Sequence, residues 1–334
     1  MLRCEPWLEA DALFRSNPRW RGGDDAYSVM ISKERRLWLF GDSFIALHDG
    51  APRRQCATVH NTVAVQHGRD PATASMRFVW REERGRPASF IADDGDTWFW
   101  PGGALRLGDA LLLFLMRVTL ARSVARAADM ITAWRQTDSL SFFEVIGWDA
   151  RLVMNLDAAP EEWDIRPVRC PDADDVCIAG PALLDGSEVC AAGFALGEQG
   201  WGARIWRWPV EDATCGDLSR PVAAGEDAVH GVPREFSLHR EHDGSVTALQ
   251  ADAVFGAGIA VRTAPSLHGP WSVPQRIFTP PESERADALV YAAKAHPRLC
   301  SDGLAITYAS IGLTADLTLD DESLYYPRTL RAWR

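Results

Sequence analysis

The chain has 334 residues, of which 47% are hydrophobic and 24% charged, the composition of a globular protein with a sizeable core. Its net charge of -11 at pH 7 and its lack of a basic stripe argue against a nucleic-acid partner. The apolar run 110–115 is too short to span a bilayer, and residues 1–14 lack a leader pattern. We therefore expect a soluble, cytoplasmic protein without a membrane partner.

Short β-strands are predicted along most of the chain, because segments rich in Val, Ile, Phe, Trp and Thr alternate with turn sequences. In chain order the predicted strands are 27–31, 36–40, 61–66, 76–80, 97–100, 110–120, 141–146, 189–194, 203–208, 235–238, 245–250, 258–262, 289–293, 304–309 and 324–330. Residues 120–133 have helical composition, although 119–134 also suits strand and loop. Tight turns are predicted at the Asp-Gly pairs 49–50, 94–95, 185–186, 243–244 and 302–303.

The fold class predicted from these segments is all-β. Roughly four strands recur in every 60–70 residues, which is typical of four-stranded propeller blades. We expect one five-bladed β-propeller domain over residues 1–334, with residues 1–20 as a lead-in. The segment 36–40 is apolar on both faces, as a strand stacked between neighbours must be. A pair of β-sandwiches and a β-helix remain alternatives.

The seven cysteines are scattered and contain no CxxC pair, so neither a zinc site nor a disulfide framework is indicated. Free buried thiols are expected, with a Cys170–Cys177 bridge as the alternative. No cofactor is predicted, although acids at a channel mouth would also suit a Ca²⁺ ion.

The stretch GGDDAYSVMISKERRLWLFGDSF, residues 22–44, carries acids at both outer ends of a predicted hairpin. Asp25 would begin its first strand and Asp42 would follow its second, and antiparallel pairing would bring the two together. In a propeller these ends lie at the channel mouth, where two carboxyl groups raise each other's pKa or need a basic partner. The alternative is that Asp24 and Asp25 cap a solvated turn and that Asp42 is a turn residue.

Three further segments carry candidate binding or catalytic residues. Glu235 follows a proline two residues earlier and precedes an alternating strand, so burial could make it a general acid; a surface glutamate is the alternative. Lys294 and His296 are two apart on a predicted strand and so share a face with small alanines between them. Asn61 would donate to a substrate oxygen or cap a strand.

The chain is unusually rich in tryptophan, with 14 residues of this type. Flat aromatic rings are typical platforms for sugars, but tryptophan also fills the cores of β-sheets. We expect most of them to be core residues. The candidate platforms are Trp98, Trp100, Trp201, Trp206 and Trp208.

Six segments carry a resemblance to a known family: GGDDAYSV, RRLWLFGDSF, HNTVAVQHG, HGPWSVPQRIFTPPE, YAAKAHPRLCSDGLAITYAS and YYPRTLRAW. They resemble the five-bladed propeller glycoside hydrolases related to arabinanases, β-xylosidases and invertases, and are most similar to a bacterial branch that includes mycobacterial endo-D-arabinanases. The resemblance implies a base or nucleophile at Asp25, a general acid at Glu235 and a third, tuning carboxylate at Asp42. It also implies substrate or carboxylate contacts at Lys294 and His296.

We therefore expect a glycoside hydrolase that acts on a furanose-containing or related glycan, by inversion, with Asp25, Glu235 and Asp42 as catalytic residues. Substrate contacts are expected from Asp24, Asn61, Tyr291, Lys294, His296 and Trp98. The alternatives are a propeller that binds carbohydrate without cleaving it and a structural or protein-binding propeller.

Overall fold

A computed structural model describes residues 2–120, 133–136, 139–171, 180–197, 200–230, 235–252, 257–300 and 303–333. The predicted helical segment 120–133 lies almost wholly outside these ranges. The described chain is mostly β-structure, which confirms the predicted fold class.

The strands in the described ranges are short, with a few long hairpin strands in the middle of the chain. They are β1 (Arg3–Pro6), β2 (Trp20–Gly23), β3 (Tyr27–Met30), β4 (Arg35–Phe40), β5 (Ser43–Ala46), β6 (Cys56–Val59), β7 (Thr62–His67), β8 (Ser75–Val79), β9 (Arg81–Glu83), β10 (Arg86–Ala88), β11 (Thr97–Leu107), β12 (Ala110–Leu120) and β13 (Ala133–Gln136). There follow β14 (Ser139–Met154), β15 (Asp164–Pro167), β16 (Ala182–Asp185), β17 (Glu188–Gly197), β18 (Gly200–Pro209), β19 (Ala223–His230), β20 (Phe236–Arg240), β21 (Val246–Ala251), β22 (Ile259–Ala264), β23 (Gln275–Phe278), β24 (Ala288–His296), β25 (Leu304–Gly312) and β26 (Arg328–Trp333).

The helices of the described chain are short. They are α1 (Leu8–Phe14), α2 (Val210–Thr214) and α3 (Ala315–Asp320), with 3₁₀ turns at Arg53–Gln55, Pro160–Glu162 and Pro281–Glu284. No helix within the described ranges has the length and apolar character needed to cross a membrane.

Five antiparallel sheets follow one another along the chain. The first sheet has the order β3-β4-β7-β8, the second β11-β12-β14-β13 with β15 beside β14, and the third β16-β17-β18-β19. The fourth has the order β20-β21-β22-β23, and the fifth has the order β24-β25-β26-β1. Two smaller sheets, β2-β5-β6 and β9-β10, accompany the first. The predicted lead-in is therefore partly sheet, since β1 completes the fifth sheet.

The leading strands of the five sheets contact one another. Strand β3 contacts β11 and β24, β11 contacts β16, β16 contacts β20, and β20 contacts β24. Residues near the ends of these strands are consequently brought together although they are far apart in the sequence.

Most predicted strands coincide with observed ones, because alternating apolar residues mark the hairpins. Residues 110–120 match β12, whereas the predicted strand 97–100 extends to Leu107. The predicted strand 324–330 is shifted, since β26 begins at Arg328 and Tyr325 has a φ of 61°. Gly186 and Gly244 have positive φ at the β16–β17 and β20–β21 turns, as predicted.

Apolar side chains between the sheets form the core. Trp98, Phe236 and Leu238 share one cluster, and Leu37, Phe99 and Leu115 share another. Trp20, Trp38 and Trp208 are completely buried, so Trp208 is a core residue and not a platform for a sugar.

Candidate active site

The β3–β4 hairpin brings three acids to one end: Asp25 and Asp42, for which this was predicted, and Asp24. Tyr27 pairs with Leu39 in this hairpin, so Asp25 and Asp42 lie just beyond its paired residues. The Gly41 N–H donates to the Asp24 carbonyl oxygen at 3.3 Å, which joins the two outer ends of the hairpin.

Gly41 allows the Asp24 and Asp25 carboxyl groups to approach each other. A Cβ atom at this position would lie 2.5 Å from Asp24 Oδ1 and 2.9 Å from Asp25 Oδ2. The glycine therefore leaves the space in which both carboxyl groups sit.

Lys294 of β24 supplies a buried positive charge to the site. Its Nζ lies 3.5 Å from Asp25 Oδ1, and the two side chains are only 1% and 4% exposed. The ammonium also lies 4.3 Å from the centre of the Tyr27 ring, in a cation–π contact. Burial of an ion pair is tolerable because each charge compensates the other.

Glu235 joins this pair from the fourth sheet. It immediately precedes β20, is partly buried, and its side chain forms a hydrogen bond with the Asp25 carboxyl. The neighbouring strands are connected, since the Ala295 N–H donates to Ser237 Oγ at 2.7 Å. A hydrogen bond between two carboxyl groups requires that one of them carries a proton.

Two tyrosines hold Asp24 on its other side. The Tyr291 hydroxyl donates to Asp24 Oδ2 at 2.8 Å. The Tyr325 hydroxyl donates to the Asp42 carbonyl oxygen at 3.1 Å and also contacts the Asp24 carboxyl. Tyr325 thus connects the two acids.

A bulge in β24 turns both Tyr291 and Lys294 toward the site. Residues three apart on a regular strand point to opposite faces. The pairing with β25 shifts between Tyr291 and Lys294, and Ala292 has a φ of 54°. The extra residue places both side chains on one face.

Strained backbone is concentrated around this group of acids. Non-glycine residues with positive φ in the described chain include Asp25 (66°), Ala26 (50°), Ala292 (54°) and Tyr325 (61°). Each such residue costs about 1–3 kcal/mol and persists where the surrounding structure enforces it. Clustering of this kind is typical of functional sites.

The carboxyl groups hold protons more tightly than ordinary acids. Burial raises the pKa of Asp24 to about 8, and the Glu235 and Asp42 carboxyl groups add to this shift. Burial and Glu235 raise the pKa of Asp25 well above its usual value, against the lowering effect of Lys294. Burial raises the pKa of Asp42 to about 6, although His60 and Trp100 act to lower it.

Asp42 has a polar neighbourhood of its own. Its Oδ1 accepts a hydrogen bond from Trp100 Nε1 at 2.9 Å. Nearby, His60 Nδ1 lies 3.0 Å from Asp93 Oδ2, and the His60 ring stacks on Trp98 at 4.6 Å. Burial acts to lower the pKa of His60, but the hydrogen bond to Asp93 and the charges of Asp42 and Asp93 raise it overall. One face of Trp98 is therefore covered by a histidine.

Asn61 is a structural residue in this chain. Its Nδ2 donates to the carbonyl oxygens of Ile91 at 3.1 Å and Phe99 at 2.9 Å, and its Oδ1 accepts from the Ile91 N–H at 2.6 Å. The amide is buried and joins the first sheet to the second, so it is not directed at the acids.

His296 lies in a buried hydrogen-bond chain away from the carboxyl groups. Arg36 donates to Ser28 Oγ at 2.7 Å, and this hydroxyl lies 2.7 Å from His296 Nδ1. Arginine can only donate, so the Ser28 hydroxyl donates to Nδ1, and His296 Nε2–H donates to Thr307 Oγ1 at 2.7 Å. Burial lowers the pKa of His296 well below its usual value, so the ring is neutral.

The structure therefore brings together Asp24, Asp25, Asp42, Glu235, Tyr291 and Lys294, and adds Tyr325, which the sequence analysis did not single out. No group of three or more His, Cys, Asp or Glu in the described ranges has the arrangement of a metal site. The acids face hydrogen-bond donors, one ammonium group and one another.

Comparisons with known proteins show which families and solved structures the chain is similar to. A family described as a domain of unknown function (DUF5005) matches residues 8–138. A comparison with curated proteins found no match. Among solved structures, the chain is similar to a candidate hydrolase from Bacteroides ovatus, with 14% identity, a TM-score of 0.75, and coverage of 100% of this chain and 91% of that one.

Two further similar structures are enzymes that act on arabinose-containing glycans. An α-L-arabinofuranosidase from Lactobacillus brevis has 10% identity and a TM-score of 0.53, with 94% of this chain and 91% of that chain covered. An exo-1,5-α-L-arabinanase from a bovine ruminal metagenomic library has 10% identity and a TM-score of 0.50, with coverage of 95% and 94%. At these identities the shared feature is the fold, which is one used by glycoside hydrolases.

Proposed function

We propose that the chain is a glycoside hydrolase that cleaves a furanose-containing or related glycan at this group of acids. One observation carries the proposal: Asp25 from the first sheet, Glu235 from the edge of the fourth and Lys294 from the fifth meet in one buried contact. Paired carboxyl groups are the chemical requirement of glycoside hydrolysis. A merely structural site would not need several acids around one ammonium group.

We further propose that the five sheets are blades of a single five-bladed β-propeller. The order of contacts among the leading strands, from β3 through β11, β16, β20 and β24 back to β3, supports this arrangement. Pairing of β1 with β26 in the fifth sheet is also expected of a propeller whose last blade is completed by the chain's first strand. The site then lies at one mouth of the central channel.

In the proposed mechanism Asp25 is the base and Glu235 the general acid. Lys294 faces Asp25 Oδ1 and favours the negative charge that a base needs, against burial and the Glu235 carboxyl, which raise the pKa of Asp25. Glu235 would protonate the leaving oxygen while Asp25 removes a proton from the attacking water.

The stereochemical outcome that we propose is inversion. Inverting enzymes hold their carboxyl groups roughly 6.5–9.5 Å apart, and retaining ones about 5–5.5 Å apart. Asp25 and Glu235 are hydrogen-bonded to each other in the structure. The glycosidic oxygen and the attacking water must therefore enter between the two groups, with the Glu235 side chain turning away from Asp25.

Asp42 and Asp24 are the proposed tuning and substrate-contact acids. The charge of the Asp42 carboxyl raises the pKa of Asp24, and Tyr325 contacts both residues. Tyr291 and Lys294 complete the substrate contacts, whereas Asn61 and His296 are left out because protein groups occupy their polar atoms.

The experiment is a panel of arabinan, xylan, levan and aryl furanosides, assayed with wild type, Asp25→Asn and Glu235→Gln. Wild type should release product, and each variant should lose roughly 100- to 10,000-fold in rate, the usual share of general acid–base catalysis. Asp109→Asn, an exposed acid in the β11–β12 turn, is the matched control and should keep full activity. NMR of the first-formed anomer tests inversion.

Other outcomes have definite meanings. Equal activity of wild type and Asp25→Asn, with loss in Asp24→Asn, would move the base by one residue. Binding of a glycan by all variants without cleavage would replace the proposal with a carbohydrate-binding function.

A further inference from the structure

The end of the β3–β4 hairpin opposite the acids forms a basic cleft. It is lined by Lys33, Arg35, Arg36, Arg69 and Arg298, with Glu34 as the acid among them. The chain as a whole carries a net charge of -11, so this concentration of positive charge runs against its overall balance. The cleft is separate from the proposed hydrolytic site.

Arg36 is a buried cation with no acidic partner among the described residues. It is 3% exposed, and its guanidinium donates to Ser28 Oγ at 2.7 Å and to the Pro297 carbonyl oxygen at 2.9 Å. Within the part of the chain that the structure describes, its Nε has no hydrogen-bond partner and no carboxylate lies within 4.0 Å. Burial lowers its pKa to about 10. Buried charges are normally paired, whereas no carboxylate of the described ranges pairs with Arg36.

Arg53 shows what a purely structural buried arginine looks like in the same protein. Its Nε and both terminal nitrogens donate to the backbone carbonyl oxygens of Arg21, Thr318, Asp321 and Leu324. Arg36, in contrast, has a buried Nε with no hydrogen-bond partner in the described chain, and its side chain lines the basic cleft.

Four further cations line the same cleft as Arg36. Arg35 donates to the carbonyl oxygens of Asp157 and Ala158, both at 3.3 Å, and its Nε has no partner in the described chain. Lys33, Arg69 and Arg298 are exposed at the rim.

We propose that this basic cleft binds a phosphate group, free or carried by a sugar, as the counterion of Arg36. Guanidinium groups recognise phosphate oxygens through paired, charge-assisted hydrogen bonds, and lysine adds a mobile positive charge at the rim. Glu34 forms no ion pair with these cations in the described ranges, so it does not occupy the place of the anion.

The test is calorimetric titration of the full chain with inorganic phosphate, ribose 5-phosphate and ribose, at ionic strength held constant with NaCl. Wild type should bind phosphate saturably, and ribose should not bind at the cleft. The double variant Arg69→Gln/Arg298→Gln should bind roughly tenfold more weakly or worse, because charge-assisted hydrogen bonds are lost. Arg106→Gln, an exposed arginine on another sheet, is the matched control and should bind as wild type.

Arg36→Met should abolish phosphate binding. If Arg36→Met does not fold, the double variant Arg69→Gln/Arg298→Gln still tests the proposal, because it changes only exposed residues. Binding of both phosphates supports a site for free phosphate, and binding of ribose 5-phosphate alone supports a site for a sugar phosphate. Absence of saturable binding by either, or equal binding by wild type and the double variant, would overturn the proposal. Neither result depends on hydrolytic activity.

Discussion

Lys294 and Asp25 form a buried ion pair whose two members stabilise each other. Their side chains are 1% and 4% exposed, so either charge alone would be left buried without its partner of opposite charge. Lys294→Met should therefore lower the free energy of unfolding by roughly 3 kcal/mol, the usual cost of breaking a buried pair. Urea unfolding of wild type and Lys294→Met, monitored by circular dichroism, measures this difference in the free energy of unfolding.

A double-mutant cycle separates this pair from general packing effects. The variant Asp25→Asn/Lys294→Met removes both charges, so its loss of stability should be smaller than the sum of the two single losses. Additive losses would show that the two charges are not coupled, contrary to their 3.5 Å contact.

Asp24 makes stability depend on pH with a sign opposite to that of most acids. Its pKa is raised from 3.8 to about 8, so between these values the folded state keeps a proton that the unfolded state has released. Stability contributed by the neutral acid is present below pH 3.8 and is lost as pH rises toward 8.

The corresponding prediction concerns Asp24→Asn, which carries no titratable group. Relative to wild type, it should gain stability from pH 5 to pH 8, by up to about 1.4 kcal/mol for each pH unit. Urea midpoints at pH 5, 6, 7 and 8 give the comparison. Parallel curves for the two proteins would contradict the raised pKa of Asp24.

At the scale of residues, the sequence predicted the acids but not all of their partners. The hairpin 22–44 placed Asp24, Asp25 and Asp42 together, because antiparallel pairing is a local property. The sequence analysis did not single out Tyr325, because its approach to the acids depends on a positive φ that the sequence YYP does not predict. His296 was expected to share a face with Lys294. Its hydrogen-bond partners are Ser28 and Thr307, and the sequence pattern does not predict these contacts.

The segment that follows α3 is positioned by Arg53. This buried side chain donates to carbonyl oxygens at residues 318, 321 and 324, next to Tyr325 in the site. Loss of these donors leaves buried carbonyl groups unpaired, at about 1–3 kcal/mol each.

Arg53→Met should consequently destabilise the protein by more than about 2 kcal/mol and accelerate hydrogen exchange in residues 315–325. Arg54→Met is a matched control, because the neighbouring Arg54 is exposed and pairs with Asp316 and Asp320 on the surface of α3. It should change stability little. Equal exchange in the two variants would remove Arg53 from the positioning of Tyr325.

At the scale of elements, hairpins were predictable and irregularities were not. The strands β12, β17 and β21 follow alternating or continuous apolar runs closely. The bulge in β24 was not foreseen, because Tyr291-Ala-Ala-Lys294 reads as an ordinary strand. A pair of small residues between two polar ones was the available signal.

The fifth sheet joins the beginning of the chain to its end. Strand β1 pairs with β26 over four residues, from Arg3 opposite Trp333 to Pro6 opposite Leu330, and Leu2 and Cys4 pack against the adjoining core. Deletion of residues 2–6 should lower the melting temperature and increase hydrogen exchange in β26, because this strand would become an edge.

Calorimetry and hydrogen exchange on the truncated chain measure both effects, with Cys4→Ser as a control that keeps the β1 backbone. An unchanged melting temperature after the deletion would mean that β26 does not depend on β1.

At the scale of the whole molecule, composition and strand spacing predicted an all-β fold, but the partner of β1 had no local signal. Its residues, RCEP, lack the β-branched and aromatic residues that mark strands elsewhere. Long-range pairing of this kind is decided by which edge remains open, a property of the assembled sheets.

The Arg3–Trp333 pairing also places the start of β1 and the end of β26 within one strand spacing of each other, roughly 5 Å. A short peptide could join them, and new ends could be opened at the exposed Asp243-Gly244 turn between β20 and β21. Such a circular permutant would retain every sheet but change the order in which the sheets are synthesised. Comparison of its folding with that of the original chain would show whether the order of synthesis affects folding.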